Sequence, residues 1–177
     1  MTELEKFIVR EDNLADQTKE FVLPRFGEEL PIKLRAITKQ ENKVCIAKAD
    51  KPGKSGKEWD NDAYLTSVVL TGLVNPNPHS KEMIDALNNS VAKYNAKKVE
   101  EAKARYEKAL KKWESKGSIE EEKPKEEMAQ TKPSVNTASE AIATMFLPGE
   151  ITAIATAILE LSGFNTELKE KQQEIKN

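Results

Sequence analysis

Two strongly apolar segments, residues 63–74 and 141–161, stand out in a chain in which 33% of the residues are charged. The first carries Tyr64, Val68 and Val69 at helical spacing, which favours a buried helix over the strand that its β-branched residues would also suit. Aromatic residues make up only 6% of the chain, so its core must rest on Leu, Ile, Val and Ala. These features predict a modest helical body rather than a deep-clefted enzyme.

Two short strands are predicted ahead of the first apolar helix. Residues 21–23 are apolar, and within 32–37 the apolar Ile32, Leu34 and Ala36 alternate with charged residues, as one buried face of a sheet requires. Proline and glycine punctuate the connection between the two segments. A β-hairpin is the simplest topology that this pattern allows.

Capping sequences mark the starts of two helices. Thr38-Lys-Gln-Glu41 has the spacing at which the hydroxyl and the carboxylate each satisfy a free backbone donor, and the helix that follows should run to about Ala49. Thr137-Ala-Ser-Glu140 repeats this spacing ahead of the second apolar segment.

Within the second apolar segment, Leu147-Pro148-Gly149-Glu150 is predicted to break the helix and start another. Pro148 suits the first turn of a helix, where its missing N–H costs nothing. Gly163 is predicted to end that helix. At the other end of the chain, Leu4, Phe7 and Ile8 fit either a short amphipathic helix or a frayed terminus.

Residues 80–116 are predicted to form one long helix, densely charged and therefore projecting or meeting a partner on one narrow face. Its apolar residues form a sparse stripe of Leu87, Val91, Tyr94, Ala102, Tyr106, Leu110 and Trp113. The segment 117–136, with Pro, Gly and a run of charges, is predicted to be a flexible linker. The Lys-, Gly- and Asp-rich residues 50–62 are predicted to be a flexible loop.

The predicted fold is mainly α with a small N-terminal β-hairpin (α+β), a helical body with one long projecting polar helix. Residues 1–79 supply the hairpin and the first helices, 80–116 the long helix and 117–136 the linker. Residues 137–177 supply C-terminal helices that complete the same body, followed by a polar tail.

Charge and composition argue against several classes of partner. The chain has 28 basic and 30 acidic residues, a net charge of −2, so it offers no global basic field for nucleic acid. The apolar region 141–161 is interrupted by proline and glutamates, unlike a membrane span of about 20 predominantly apolar residues. The first residues contain no apolar signal-peptide core, and the single Cys45 fits a reduced compartment. We therefore expect a cytoplasmic protein.

No residue pattern for catalysis, for a cofactor or for a metal was found in the sequence. His79 is the one histidine and lies in a Pro-rich turn, which favours a structural or surface role. Lys-Ser-Gly-Lys at 54–57 lacks the first glycine and the final Ser or Thr of a phosphate-binding loop. Glu58, Asp60 and Asp62 could hold a hard cation, but a solvated loop is the favoured interpretation.

The segment 137–164 differs from the rest of the chain, because it has no Lys or Arg and concentrates apolar residues. Two interpretations remain open: the segment is core, or part of its apolar face stays exposed to bind a helical partner. The candidate partner-binding residues are Phe146, Leu147, Pro148, Glu150, Ile151, Ile154, Ile158 and Leu161.

Three pieces of the chain, in this order, resemble the XkdN-like tail assembly chaperone family of phages of Gram-positive hosts. The first is the short segment with Leu4, Phe7 and Ile8, then Pro24-Arg-Phe-Gly, then Ile32-Lys-Leu-Arg-Ala-Ile-Thr with a polar helix start. The second is the apolar helix 62–76 closed by Asn-Pro, and the third is Met145-Phe-Leu-Pro-Gly-Glu-Ile followed by Ile158-Leu-Glu-Leu-Ser-Gly-Phe. The stretch from about Asn88 to Ser134 departs from that family pattern.

The resemblance implies a non-virion helper in the cytoplasm of the infected bacterial host. Such a chaperone would bind the tape measure protein, keep it soluble and help recruit tail tube subunits, and it could also associate with itself. It would need no active site and no cofactor. The alternative is a structural virion component, such as a head–tail connector or a tail tube-associated protein.

Overall fold

The structure, a computed structural model, describes residues 17–53, 56–115 and 122–164. The predicted N-terminal helix around Leu4, Phe7 and Ile8 and the predicted polar tail lie outside these residues.

The N-terminal hairpin is confirmed and belongs to a three-stranded sheet. Strand β1 (Thr18–Phe21) pairs antiparallel with β2 (Ile32–Arg35), so β1 begins before the segment 21–23 predicted as a strand. The alternation predicted for β2 is present, since Ile32 and Leu34 are buried and Lys33 is exposed.

Helix α1 (Lys39–Ala49) begins at the predicted capping box. The Glu41 N–H donates to Thr38 Oγ1 at 3.2 Å, and the Thr38 N–H donates to Glu41 Oε2 at 2.8 Å. The carboxylate therefore satisfies a backbone donor at the helix start, as the spacing predicts.

The prediction of a flexible loop over 50–62 was wrong, because strands β3 (Asp50–Gly53) and β4 (Gly56–Trp59) pair as an antiparallel hairpin. The base of this hairpin is fixed to the body. The Asp60 N–H donates to the Ala49 carbonyl at 2.9 Å, and the Trp59 ring lies 5.2 Å from the Tyr64 ring.

Helix α2 (Asn61–Gly72) is the predicted buried helix, and it lies between α1 and the last helix of the body. The chain then enters strand β5 (Leu73–Asn75), which pairs with β2 on the side opposite β1. The sequence did not predict this third strand, because Leu73 and Val74 continue the helical apolar pattern.

Two further helices, α4 (Ala138–Met145) and α5 (Pro148–Leu161), complete the body. The core cluster joins buried side chains of β2, α1, α2, α4 and α5. At its centre α2 and α5 approach closely: a methyl group at Gly72 would lie 2.7 Å from the Ile158 side chain.

Helix α5 ends at Leu161, and Gly163 terminates it just beyond the C-cap Ser162, as predicted. Gly163 has a left-handed backbone with φ of 78°, and the Phe164 N–H donates to the Leu159 carbonyl at 2.9 Å. The Gly163 N–H donates to the Glu160 carbonyl at 3.1 Å. This pair of bonds is a Schellman motif, and only glycine adopts its central conformation without strain.

The long helix α3 (Lys81–Ser115) is also confirmed. Its N-terminal turns join the body through a second small cluster, which comprises Met83, Ile84, Leu87, Val135, Ala141 and Met145. Met83 and Val91 are the buried residues of α3. The helix is about 50 Å long at 1.5 Å per residue, so its C-terminal half extends well past these contacts.

The described part of the predicted linker, residues 122–136, is tied to α3 at two positions, and we call it the strap. Asn88 exchanges two hydrogen bonds with the backbone of Val135, at 2.9 and 2.8 Å. Asn95 does the same with Lys132, at 2.9 and 2.8 Å. The strap has no helix or strand, but these asparagines fix its position from Lys132 to Val135, which the prediction of a free linker did not foresee.

Candidate partner-binding surface

The candidate surface begins at the corner between α4 and α5, where the direction of the helix axis changes by 113° from one helix to the next. Glu140 closes the predicted capping box at the start of α4, where its carboxylate accepts the N–H of Thr137 at 3.0 Å. Helix α4 ends at Met145 with Phe146 as its C-cap, and Pro148 is the first residue of α5. The break predicted from Leu-Pro-Gly-Glu is therefore a sharp corner that presents Leu147 at its tip.

Glu150 holds this corner from inside the first turn of α5. Its Oε2 accepts the N–H of Leu147 at 2.8 Å. The guanidinium of Arg25, on the β1–β2 loop, binds both carboxylate oxygens at 2.8 Å and also donates to the Met145 carbonyl at 2.7 Å. A bidentate guanidinium–carboxylate pair is among the strongest polar contacts in proteins.

The Arg25 side chain and the Leu147 N–H together lower the pKa of Glu150 from 4.5 to about 2. Both contacts favour the charged carboxylate, which also lies at the positive end of the α5 dipole. The same ion pair raises the pKa of Arg25. Glu150 is therefore ionised and bound to Arg25 at neutral pH.

Aromatic contacts accompany the ion pair. The Arg25 guanidinium lies 4.4 Å from the centre of the Phe26 ring, and that ring meets Phe146 edge-on with centroids 6.2 Å apart. The loop Pro24-Arg-Phe-Gly thus packs directly on Met-Phe-Leu-Pro-Gly-Glu. Two of the segments that carry the family resemblance form one contact, although about 120 residues separate them.

A shallow groove runs beside this corner, between α2 and the start of α5. It is lined by Asp62, Leu65, Thr66, Ala143, Phe146, Pro148, Ile151 and Thr152, and its volume is about 190 Å³. Small-molecule sites usually measure about 300–1,000 Å³. This groove is better suited to one large side chain from a protein partner.

The structure divides the predicted partner-binding residues into two groups. Ile154 and Ile158 are fully buried on the face of α5 that packs against α2, and Phe146 is 3% exposed at the floor of the groove. Ile154 and Ile158 are thus core residues. The interpretation of the segment as core holds for this face of α5.

The other predicted residues lie on or near the surface. Leu147 is 58% exposed, Pro148 is exposed and Ile151 is half-buried at the wall of the groove. Glu150 is engaged by Arg25, and Leu161 is half-buried at the far end of α5. Among the predicted residues, the exposed apolar side chains therefore lie at the corner and the N-terminal end of α5.

Asp62 is the charged residue that lines the groove. The three helices that line it contain no Lys or Arg, and their charged residues are Asp62, Glu140, Glu150 and Glu160. Since Arg25 neutralises Glu150, the rim retains a negative charge. A partner helix that carries basic residues beside its apolar stripe would complement this surface.

The sequence did not reveal the contributions of Arg25, Asp62 and Thr66. All three lie on other elements, and nothing in their local sequence links them to the α4–α5 corner. The negative charge of Glu150 at a helix start was predicted, but its partner could not be identified among 28 basic residues.

The other polar positions considered in the sequence have structural roles. Asp60 caps α2 by accepting the Ala63 N–H at 2.9 Å and pairs with Lys51, so its carboxylate is already engaged. His79 is exposed, and its Nε2 lies 3.2 Å from the Leu70 carbonyl. Among the described residues, no three His, Cys, Asp or Glu side chains are grouped to hold a metal ion.

No single helix in the described ranges is long and apolar enough to cross a membrane, and α4 with α5 meets that length and composition only as a bent pair. Most of that pair's apolar residues are buried in the core.

Comparison with known proteins identifies one family. The model of the phage XkdN-like tail assembly chaperone proteins matches residues 4–102 and 117–176. No curated protein and no solved structure matches the chain. The match includes 88–102 and resumes at 117, so the departure that we expected over 88–134 is confined to residues 103–116. Since the match covers most of the chain, this protein belongs to the XkdN-like tail assembly chaperone family.

Proposed function

We propose that this protein binds the tape measure protein of its phage, keeps it soluble before assembly and helps recruit tail tube subunits. The observation that carries the proposal is the exposed apolar corner at Leu147, beside a groove sized for one side chain. A long amphipathic helical protein exposes apolar stripes before it is assembled. A chaperone that covers such a stripe needs an apolar site on a soluble, charged body.

The geometry of the corner favours a helical partner. Pro148 and Leu147 form a ridge, and Ile151 lies in the wall of the adjacent groove. A helix that lays its stripe over the ridge could place one side chain in the groove, as other helix-in-groove complexes do. The Arg25–Glu150 pair holds the ridge in place, so little ordering is required on binding.

The affinity must stay moderate, because tube subunits have to displace the chaperone during assembly. Each tenfold change in affinity corresponds to about 1.4 kcal/mol. A shallow groove with one exposed anchor fits this requirement better than a deep cleft would.

We further propose that the protein acts in the cytoplasm of the infected host and is left out of the finished virion. Mass spectrometry of purified virions tests this point. Stoichiometric amounts of the chain in mature particles would contradict it and would favour a structural tail component.

The main test is co-expression with the tape measure protein, followed by affinity purification and size exclusion. We expect the tape measure protein to be insoluble alone and to co-elute with the chaperone when both are made. If it precipitates regardless while the chaperone elutes alone, the proposal fails.

Two matched surface variants test whether the corner binds the tape measure protein. Leu147→Ser should leave the protein folded, because this side chain is 58% exposed, and should reduce recovery of soluble complex severalfold. Val44→Ser is the control, since Val44 is 48% exposed on α1, which does not line the groove. Equal loss with both variants would place the binding surface elsewhere.

A further inference from the structure

The C-terminal half of α3 contains a seven-residue repeat. A basic residue, an apolar residue and a glutamate recur three times, as Lys98-Val99-Glu100, Arg105-Tyr106-Glu107 and Lys112-Trp113-Glu114. Seven residues are close to two helical turns, so the three apolar side chains lie on one line along the helix.

Alanines complete that line as a continuous strip, which we call the seam. Ala102 and Ala109 follow Val99 and Tyr106 by three residues, which is the spacing of the a and d positions of a coiled coil. The seam consists of Val99, Ala102, Tyr106, Ala109 and Trp113. A pattern of this kind is typical of a helix that meets another helix.

The strap is hydrogen-bonded to α3 along the same line but nearer the body. Asn88 and Asn95 precede Ala102 at the same seven-residue spacing, and both bind the strap backbone. These bonds fix the strap beside α3 from Lys132 to Val135.

The seam is incompletely covered. Val99 is 37% exposed, Ala109 is exposed, and Tyr106 is half-buried. In the strap, Met128 is 95% exposed and therefore does not cover the seam. Apolar area thus remains available along the C-terminal half of α3.

The flanks of the seam are basic. Lys98, Arg105 and Lys112 run along one side, and Lys103 lies on the other. Residues 96–115 contain seven basic and four acidic residues, a net charge of +3. Two copies of this segment would bring like charges together at the flanking positions, which disfavours self-pairing.

The family match supplies an independent observation. It omits residues 103–116, which carry most of the seam. The seam from Tyr106 to Trp113 therefore lies outside the part of the chain that the family model matches. The net charge around the seam is positive, whereas that of the groove at the α4–α5 corner is negative.

We propose that the seam is a second docking surface, which takes an amphipathic helix with acidic flanking residues from a partner protein. The seam is distinct from the groove proposed for the tape measure protein. The proposal for the seam can therefore be wrong while the proposal for the groove stands.

Binding of synthetic peptides to the full chain tests the proposal, with fluorescence anisotropy as the readout. The probe is a four-heptad helical peptide with Leu and Ile in its seam and Glu on its flanks. One control has Lys on the flanks, and a second has the acidic composition in scrambled order. We expect the acidic heptad peptide to bind at least tenfold more tightly than either control.

Charge-reversal variants locate the site. Lys98→Glu, Arg105→Glu and Lys112→Glu together should reverse the preference, so that the Lys-flanked peptide binds better. The matched control reverses Lys93, Lys97 and Lys111, which are exposed on the opposite face of α3, and should keep the wild-type preference.

A third variant separates docking from general charge attraction. Val99→Ser removes an exposed apolar side chain of the seam without changing its charge, and should lower the affinity for the acidic heptad peptide severalfold. Equal binding of the scrambled peptide, or an equal effect of the two charge reversals, would overturn the proposal. So would absence of binding of the acidic heptad peptide to the wild type.

Discussion

Glu150 shows how one side chain can join distant parts of this chain. Its carboxylate binds the Arg25 guanidinium from the β1–β2 loop and the Leu147 N–H at the start of its own helix. These contacts hold its pKa at about 2 in the folded protein, against 4.5 ordinarily. The lowered pKa means that this carboxylate stabilises the fold above pH 4.5 and loses that contribution as the pH falls towards 2.

Glu150→Gln should therefore destabilise the protein at pH 6 but make little difference near pH 2. The measurement is urea unfolding of both proteins across this range, with the difference between them plotted against pH. Using the difference removes the effect of other carboxylates that also titrate in this window. When Glu150→Gln is introduced into Arg25→Gln protein, the difference in unfolding free energy should depend much less on pH. An unchanged pH dependence would mean that Arg25 does not cause the lowered pKa of Glu150.

Gly72 is a second position where one residue controls packing. An added methyl group would lie 2.7–3.0 Å from three atoms of Ile158, which is fully buried and cannot move aside freely. We expect Gly72→Ala to lower the free energy of unfolding by about 1–3 kcal/mol, the usual cost of overpacking a core.

Gly149→Ala is the matched control for Gly72→Ala, because a methyl group there would contact nothing within 4 Å. Alanine is favoured over glycine within a helix, so this variant should be neutral or stabilised by up to about 1 kcal/mol. Thermal unfolding of both variants checks the pair. Equal destabilisation would show that loss of glycine flexibility, rather than contact with Ile158, is responsible.

At the scale of elements, the strap depends on two asparagines. The amide of Lys132 donates to Asn95 Oδ1, and that of Val135 donates to Asn88 Oδ1. Asn95→Ala should accelerate hydrogen exchange at the Lys132 amide, while Asn88→Ala should do so at Val135. If neither amide is protected in the wild type, the strap is not held as described.

The two faces of helix α5 differ in burial. Ile154 and Ile158 are fully buried, so Ile158→Ala should cost about 2–5 kcal/mol through lost contacts and the cavity left behind. Replacement of both by Asp should prevent folding instead of testing partner binding. Circular dichroism distinguishes these variants from Leu147→Ser, which should retain the native spectrum.

The elements that the sequence predicted well are those with local causes. The two Thr–Glu capping boxes, Pro148 at a helix start and Gly163 at a helix end act through neighbouring backbone groups. Strand β5 was missed because it pairs with β2, about 40 residues earlier in the chain. The β3–β4 hairpin was missed because its composition is that of a loop, while its contacts with Tyr64 and Ala49 are tertiary.

The candidate surface was predicted in part for the same reason. The sequence located the apolar segment that contains Leu147, Pro148 and Ile151, but periodicity alone could not decide which face α2 would cover. The Arg25–Glu150 pair spans 125 positions, and no local pattern distinguishes it from the many other possible pairs of opposite charge.

At the scale of the whole molecule, the two proposed surfaces differ in charge. The helices around the groove carry only acidic charged residues, whereas the C-terminal half of α3 carries a net positive charge. A groove that prefers basic-flanked helices and a seam that prefers acidic-flanked helices could bind two different partners at once. This arrangement suits a protein that brings assembly components together.

Hydrogen exchange of the free chaperone and of the co-purified complex with the tape measure protein tests the central claim most directly. We expect new protection at the α4–α5 corner around Leu147 and Ile151 and at the N-terminal half of α2, where Asp62 and Thr66 line the groove. Protection that leaves this corner unchanged and appears on other elements would contradict the claim that the corner is the tape measure binding surface.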